Sequence, residues 1–193
     1  MTETIAGPGA RTVTHHWVTA AAVRTLDLAG IARDTSSARH PQGQEAPRQI
    51  IPVASVFSDE DALKQAFLGT MNELATAGAG HGTPRSAIDN VQLTVEIWER
   101  GHQVPMAASP SDFVGWCFLH ATSPKHKDSG AVAVSDPRAG SAMTAMPGLP
   151  WGRQLTITAA QGILAVVPGW LTLSVRPLEE GQRVIVVVAT STP

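Results

Sequence analysis

The chain has 193 residues, 43% of them hydrophobic, with 14 basic against 16 acidic side chains and a formal charge of −2. That length supports one sizeable core and argues against a second domain. The near balance of charge, with no long run of either sign, argues against nucleic acid or an anionic membrane surface as partner.

Cys117 is the single cysteine, so there is no intrachain disulfide, and a reducing compartment fits. No apolar stretch approaches a membrane span, and Met1 to Arg11 lack the layout of a signal peptide; the expectation is a cytoplasmic protein. Met1 to Gly9 has the composition of a terminal tail, and His15-His16 stands near it without partner spacing. Val18 to Ala32, rich in Ala and Leu, predicts a helix that Gly30 ends early. The stretch 34–49, DTSSARHPQGQEAPRQ, reads as a polar loop. Ser58 with Asp61 three positions on resembles a capping box, and Leu63, Phe67, Met71 and Leu74 then recur at helical spacing until Gly78 and Gly80. That stripe is core.

From Val91 the period changes to two. Val91, Leu93, Val95 and Ile97 alternate with Gln92, Thr94, Glu96 and Trp98, the pattern of a strand with one face on a core and the other toward solvent or a cavity. Further strands are expected at Trp116 to Ala121, Ala131 to Val134, Gln154 to Thr158, Ile163 to Val167, Leu171 to Arg176 and Arg183 to Ala189. Helices followed by many short strands predict a mainly β domain with flanking helices. In this division residues 1–89 support a jelly-roll core at 90–193.

A series of small signals in fixed order adds to this. Trp98, Gly101, Pro110 and Gly115, then Ser129-Gly130, Asp136-Pro137-Arg138, the stretch GILAVVPGWL from Gly162, and Arg183 ten positions after Leu173 together resemble the iron(II)/2-oxoglutarate-dependent oxygenases. The resemblance runs from Trp98 to Arg183. It implies a double-stranded β-helix barrel, cupin-like, whose iron is held by an HxH pair and a later histidine. Those positions are Ala107, Ser109 and Leu173 here, and none of these side chains is a good ligand for ferrous iron. Arg183 stands where the family binds the far carboxylate of 2-oxoglutarate, while the serine two places on is Ile185. His126-Lys127-Asp128 spells HxD, but no histidine follows it to complete a metal site, so it reads as a loop charge cluster.

Cys117, between Trp116 and Phe118, reads as inert core. No GxSxG elbow, phosphate loop or dinucleotide fingerprint occurs. The expectation is therefore a metal-independent jelly roll, with no cofactor, whose apolar pocket promotes a cyclisation, isomerisation or elimination. Its substrate would be a small hydrophobic secondary metabolite bearing a carboxylate or carbonyl. Arg183, His102 and His120 are the candidate catalytic groups. Trp98, Gln103, Ala107, Ser109, Trp116, Phe118, Trp170, Leu173 and Ile185 are the candidate pocket. A binding module that holds a metabolite or supports a partner enzyme is the competing class, and an oxygenase with unusual ligands a third. A homodimer is compatible with the sequence, and the Ala- and Gly-rich composition with few lysines suits a GC-rich bacterial source.

Overall fold

The computed structural model describes residues 21–33, 35, 46–78, 87–126, 128–137 and 154–192. The tail, His15-His16, most of the polar loop, Lys127 and Arg138 lie outside the described residues. Ten strands and one long helix make up the regular structure among the described residues: β1 (Ala22–Thr25), β2 (Arg48–Ile51), α1 (Glu60–Gly78), β3 (Val91–Trp98), β4 (Val104–Ala107), β5 (Phe113–Ala121), β6 (Val132–Ser135), β7 (Leu155–Ile157), β8 (Ile163–Pro168), β9 (Thr172–Val175) and β10 (Val184–Ser191).

The larger sheet has the order β1-β8-β5-β10-β3-β2 and the smaller the order β4-β9-β6-β7, with every pairing antiparallel. From β3 onward the chain passes back and forth between two facing sheets, which is the winding of a jelly roll. No hydrogen-bonded strand pair joins the two sheets among the described residues, so the expected barrel is an open sandwich.

The pattern of β10 shows how the sequence builds two cores from one strand. Val184, Val186 and Val188 face the smaller sheet, whereas Ile185, Val187 and Ala189 join the core beneath α1. Both faces are covered, which is why the strand reads as an unbroken apolar run. Helix α1 closes the outer face with Leu63, Phe67, Met71 and Leu74, all buried as expected.

Three local expectations are corrected. Val18 to Ala20 of the expected helix lie outside the described residues, and the rest holds no helix but strand β1, paired with β8 from Ala22↔Val166 to Thr25↔Ile163. An open sheet edge offers backbone partners that a short Ala-rich helix cannot match, and tertiary pairing overrides propensity. At α1 the cap is Asp59, whose Oδ1 accepts the Ala62 N–H at 2.9 Å. Ser58 instead donates to the Gly30 carbonyl at 2.7 Å, tying the helix start to the preceding turn. The end of the polar loop is also strand, since Arg48 and Gln49 belong to β2.

Among the described residues no helix is long and apolar enough to cross a membrane.

Candidate functional site

Between the two sheets lies a cavity of about 570 Å³, within the ~300–1,000 Å³ typical of small-molecule sites. Trp98, His102, Gln103, Ala107, Ser109, Trp116 and Leu173 all line it, so seven of the candidate residues gather in one place. Phe118 packs behind them, edge-on to Trp98 with ring centroids 6.4 Å apart.

The three positions that the resemblance assigns to iron ligands also converge. Ala107 on β4 and Leu173 on β9 are direct cross-strand partners. Ser109 follows two residues later, its N–H bonded to the Gly169 carbonyl at 2.8 Å. Gly169 is required there, because a Cβ would collide with the Ser111 carbonyl. The Ser109 hydroxyl already accepts the Ser111 N–H at 3.1 Å. Ala107 and Leu173 offer hydrocarbon only, and a neutral, occupied hydroxyl is a poor ligand, so this donor set does not fit ferrous iron. No group of three His, Cys, Asp or Glu placed to hold a metal occurs among the described residues.

The polar chemistry of the cavity sits at its other end. β3 ends in a turn in which the His102 N–H bonds to the Glu99 carbonyl at 2.9 Å, with Gly101 at φ 83°. A positive φ favours glycine, and the turn folds His102 back over the ring of Trp98, with centroids 5.1 Å apart. The His102 carbonyl accepts the Leu178 N–H at 3.2 Å, pinning the turn to the segment before β10. His102 is buried, lines the cavity, and its Nε2 has no hydrogen-bond partner among the described residues. A buried polar atom left unpaired costs about 1–3 kcal/mol, which singles out this nitrogen among the polar atoms of the lining residues. Burial lowers the His102 pKa below the ordinary histidine value; Glu96 opposes the shift and Arg48 adds to it.

Beside His102 is an assembly that the sequence did not reveal. Glu96 is buried, and its carboxylate accepts Arg48 Nε at 2.8 Å, Arg48 Nη2 at 2.5 Å and the Trp98 indole Nε1–H at 2.7 Å. This bidentate pairing raises the pKa of Arg48. Glu96 was legible as a member of the same strand face as Trp98. Arg48 was not, because its strand was hidden in a stretch that reads as loop.

Arg183 is corrected. It does not line the cavity; its Nε lies 3.4 Å from Glu99 Oε1, and its backbone N–H donates to the Thr122 hydroxyl at 2.8 Å. The residue precedes β10 in phase with Ile185, on the face turned away from the smaller sheet. Ile185 belongs to the core beneath α1, and neither it nor its cross-strand partner His120, which sits at a register shift in the β5–β10 pairing, lines the cavity. Trp170 is 41% exposed on the turn between β8 and β9, outside the lining. Arg183→Met is accordingly expected to change ligand affinity by less than about twofold and stability by about 1 kcal/mol or less, as titration calorimetry and thermal melts would read.

The remaining signals are structural. His126 pairs with Glu179 at 2.6 Å in an exposed loop, while Asp128 turns to Arg176 at 2.7 Å, so the HxD residues engage different partners. Ser129 and Gln182 lock together, the Ser129 hydroxyl donating to Gln182 Oε1 at 2.6 Å. Cys117 is fully buried and its thiol is pushed up to about 12 by loss of water, which leaves almost no thiolate at neutral pH.

No protein-family model matches the chain, and no curated protein matches it. Solved structures do. A prolyl-4-hydroxylase from Pseudomonas putida is 15% identical over 74% of this chain and 70% of its own, with a TM-score of 0.47. An oxidoreductase of the 2OG-Fe(II) oxygenase family from Burkholderia pseudomallei is 14% identical over 64% of this chain and 51% of its own, TM-score 0.39. The non-heme α-ketoglutarate-dependent epimerase SnoN from nogalamycin biosynthesis is 14% identical over 75% and 60%, TM-score 0.43.

Proposed function

We propose that the inter-sheet cavity binds a small hydrophobic metabolite and promotes its cyclisation, isomerisation or elimination without metal or cofactor. His102 transfers the proton. The observation that carries this is His102, a buried residue of an otherwise largely apolar cavity lining whose Nε2 has no hydrogen-bond partner among the described residues. Trp98, Trp116 and Leu173 fix the shape into which a flexible substrate must fold. Holding reacting groups in a near-attack geometry contributes up to about 7–11 kcal/mol to a rate. A neutral imidazole beside the reacting carbon or oxygen adds general acid–base catalysis. In the elimination form, His102 Nε2 takes the proton from carbon as the leaving group departs with its electron pair.

The test uses cells of the source organism with the gene deleted. A precursor should accumulate, and purified protein in excess EDTA should convert it to a product of equal mass, or one lighter by the eliminated fragment. Binding of that precursor without conversion would favour the binding-module alternative. Conversion that requires added iron and 2-oxoglutarate would overturn the proposal.

A related expectation concerns the lost ligand positions. Installing histidine at Ala107, Ser109 and Leu173 together should create affinity for Co(II), readable by its absorption spectrum, yet produce no succinate above the unmodified protein. Metal-binding histidines need second partners for their other ring nitrogen. The neighbouring wall includes Val114, Val132 and Val188, and its acceptors near those positions are the neutral hydroxyls of Ser174 and Thr190 rather than carboxylates.

A further inference from the structure

We infer that the cavity selects an uncharged ligand with a carbonyl or hydroxyl oxygen placed at His102, and that it discriminates against carboxylates. This rests on the small-molecule role proposed above and narrows it. The sequence left the ligand's polar group open between carboxylate and carbonyl, with Arg183 as the cation to receive it. The geometry removes Arg183 from the cavity.

Arg48 is the only lysine or arginine among the described residues of the lining, and two of its nitrogens are taken by Glu96. Glu96 in turn accepts three hydrogen bonds, so the pair is neutral overall and held by the Trp98 indole, while three Arg48 N–H donors remain outside it on a half-exposed side chain. A ligand carboxylate would enter beside a buried carboxylate whose charge already balances that of Arg48, the cation of the lining. Bringing like charges together in a poorly solvated site is unfavourable, and prising Arg48 away would leave Glu96 buried and unpaired. An uncharged oxygen meets neither obstacle. It can satisfy His102 Nε2 as acceptor or donor according to the tautomer. The other polar side chains of the lining, Gln103, Ser109, Ser174 and Thr190, are also neutral.

The experiment is titration calorimetry with matched probes: 2-acetylnaphthalene and 2-naphthol, both uncharged at pH 7.5, against 2-naphthoate. At least one uncharged probe should bind about tenfold or more tighter than the carboxylate, a ratio that needs only ~1.4 kcal/mol of discrimination. Glu96→Gln keeps an acceptor for Trp98 but releases the charge of Arg48. It should raise naphthoate affinity by about tenfold while moving the uncharged probes by less than about threefold. His102→Phe keeps a ring on Trp98 and should weaken the uncharged probes by roughly 2- to 10-fold, the net effect of one hydrogen bond. Naphthoate binding to the unmodified protein as tightly as both uncharged probes would overturn this inference while leaving the cavity's role standing. Binding of none of the three would overturn both.

Discussion

Replacing His102 with phenylalanine is expected to lower conversion of the accumulated precursor by about 100-fold or more, the ordinary contribution of a positioned acid or base. Phenylalanine preserves the ring against Trp98, so the fold and the cavity shape should persist. The pH profile separates a catalytic role from a structural one. Water is excluded from the imidazolium form and Arg48 disfavours it further, while Glu96 favours it; burial dominates and the pKa falls. Neutral imidazole therefore persists to lower pH than in an exposed histidine, which titrates near about 6.5. Conversion should hold steady as pH falls through that value and decline only below it.

The same shift fixes the sign of a stability effect. The unfolded chain takes up the proton at this residue first as pH falls, so the contribution is intact above about 6.5 and is lost as pH falls toward the folded value. Denaturant midpoints of His102→Phe should show a flatter acid limb than the unmodified protein. An unchanged limb together with unchanged conversion would remove His102 from the mechanism.

Phe67→Ala should produce the largest loss of stability, about 3–5 kcal/mol, seen as a melting temperature lower by roughly 10 °C or more. Phe67 is fully buried on α1, and its Cε1 lies 2.7 Å from where a Cβ on Gly115 would stand. Gly115 has no side chain to move into the void, and β5 is held by strands on both sides. Gly115→Ala alone should cost about 1–3 kcal/mol through overpacking. The double variant should be less unstable than the sum of the two, because removing the ring removes part of the clash. The Ala165 carbonyl, 3.0 Å from the same point, limits that relief. Additivity of the two effects would show that ring and glycine are not packed together as described. Ligand affinity of the folded Phe67→Ala protein should be unchanged, since Phe67 lies on the opposite side of the sheet from the cavity.

The jelly roll was legible because its strands announce themselves by period. The alternation from Val91 to Trp98 separates the α1 side from the cavity side, and it placed Trp98 and Glu96 on one face. The ordered series of small motifs singles out Ala107, Ser109 and Leu173, and the structure brings them to one wall. β1, β2 and β4 were missed for a shared physical reason. Each lies at a sheet edge or is short, and its residues are largely exposed, so no strong alternation marks it. That concealed Arg48, and with it the pairing that neutralises Glu96. Arg183 was misplaced by counting along the chain, because facing on a strand is set by parity and Arg183 keeps step with Ile185. Trp170 sits in a recognised turn, but a turn tip is not a cavity wall.

Ala107, Ser109 and Leu173 line the cavity where the resemblance puts iron ligands, and the proposed chemistry falls to His102. The measurement that addresses it most directly is oxygen uptake by purified protein given ferrous iron, 2-oxoglutarate and the accumulated precursor, with succinate quantified alongside. The expected result is no uptake above the protein-free rate, no succinate, and conversion of the precursor at the same rate with or without iron. Succinate formed in step with oxygen and product would contradict it.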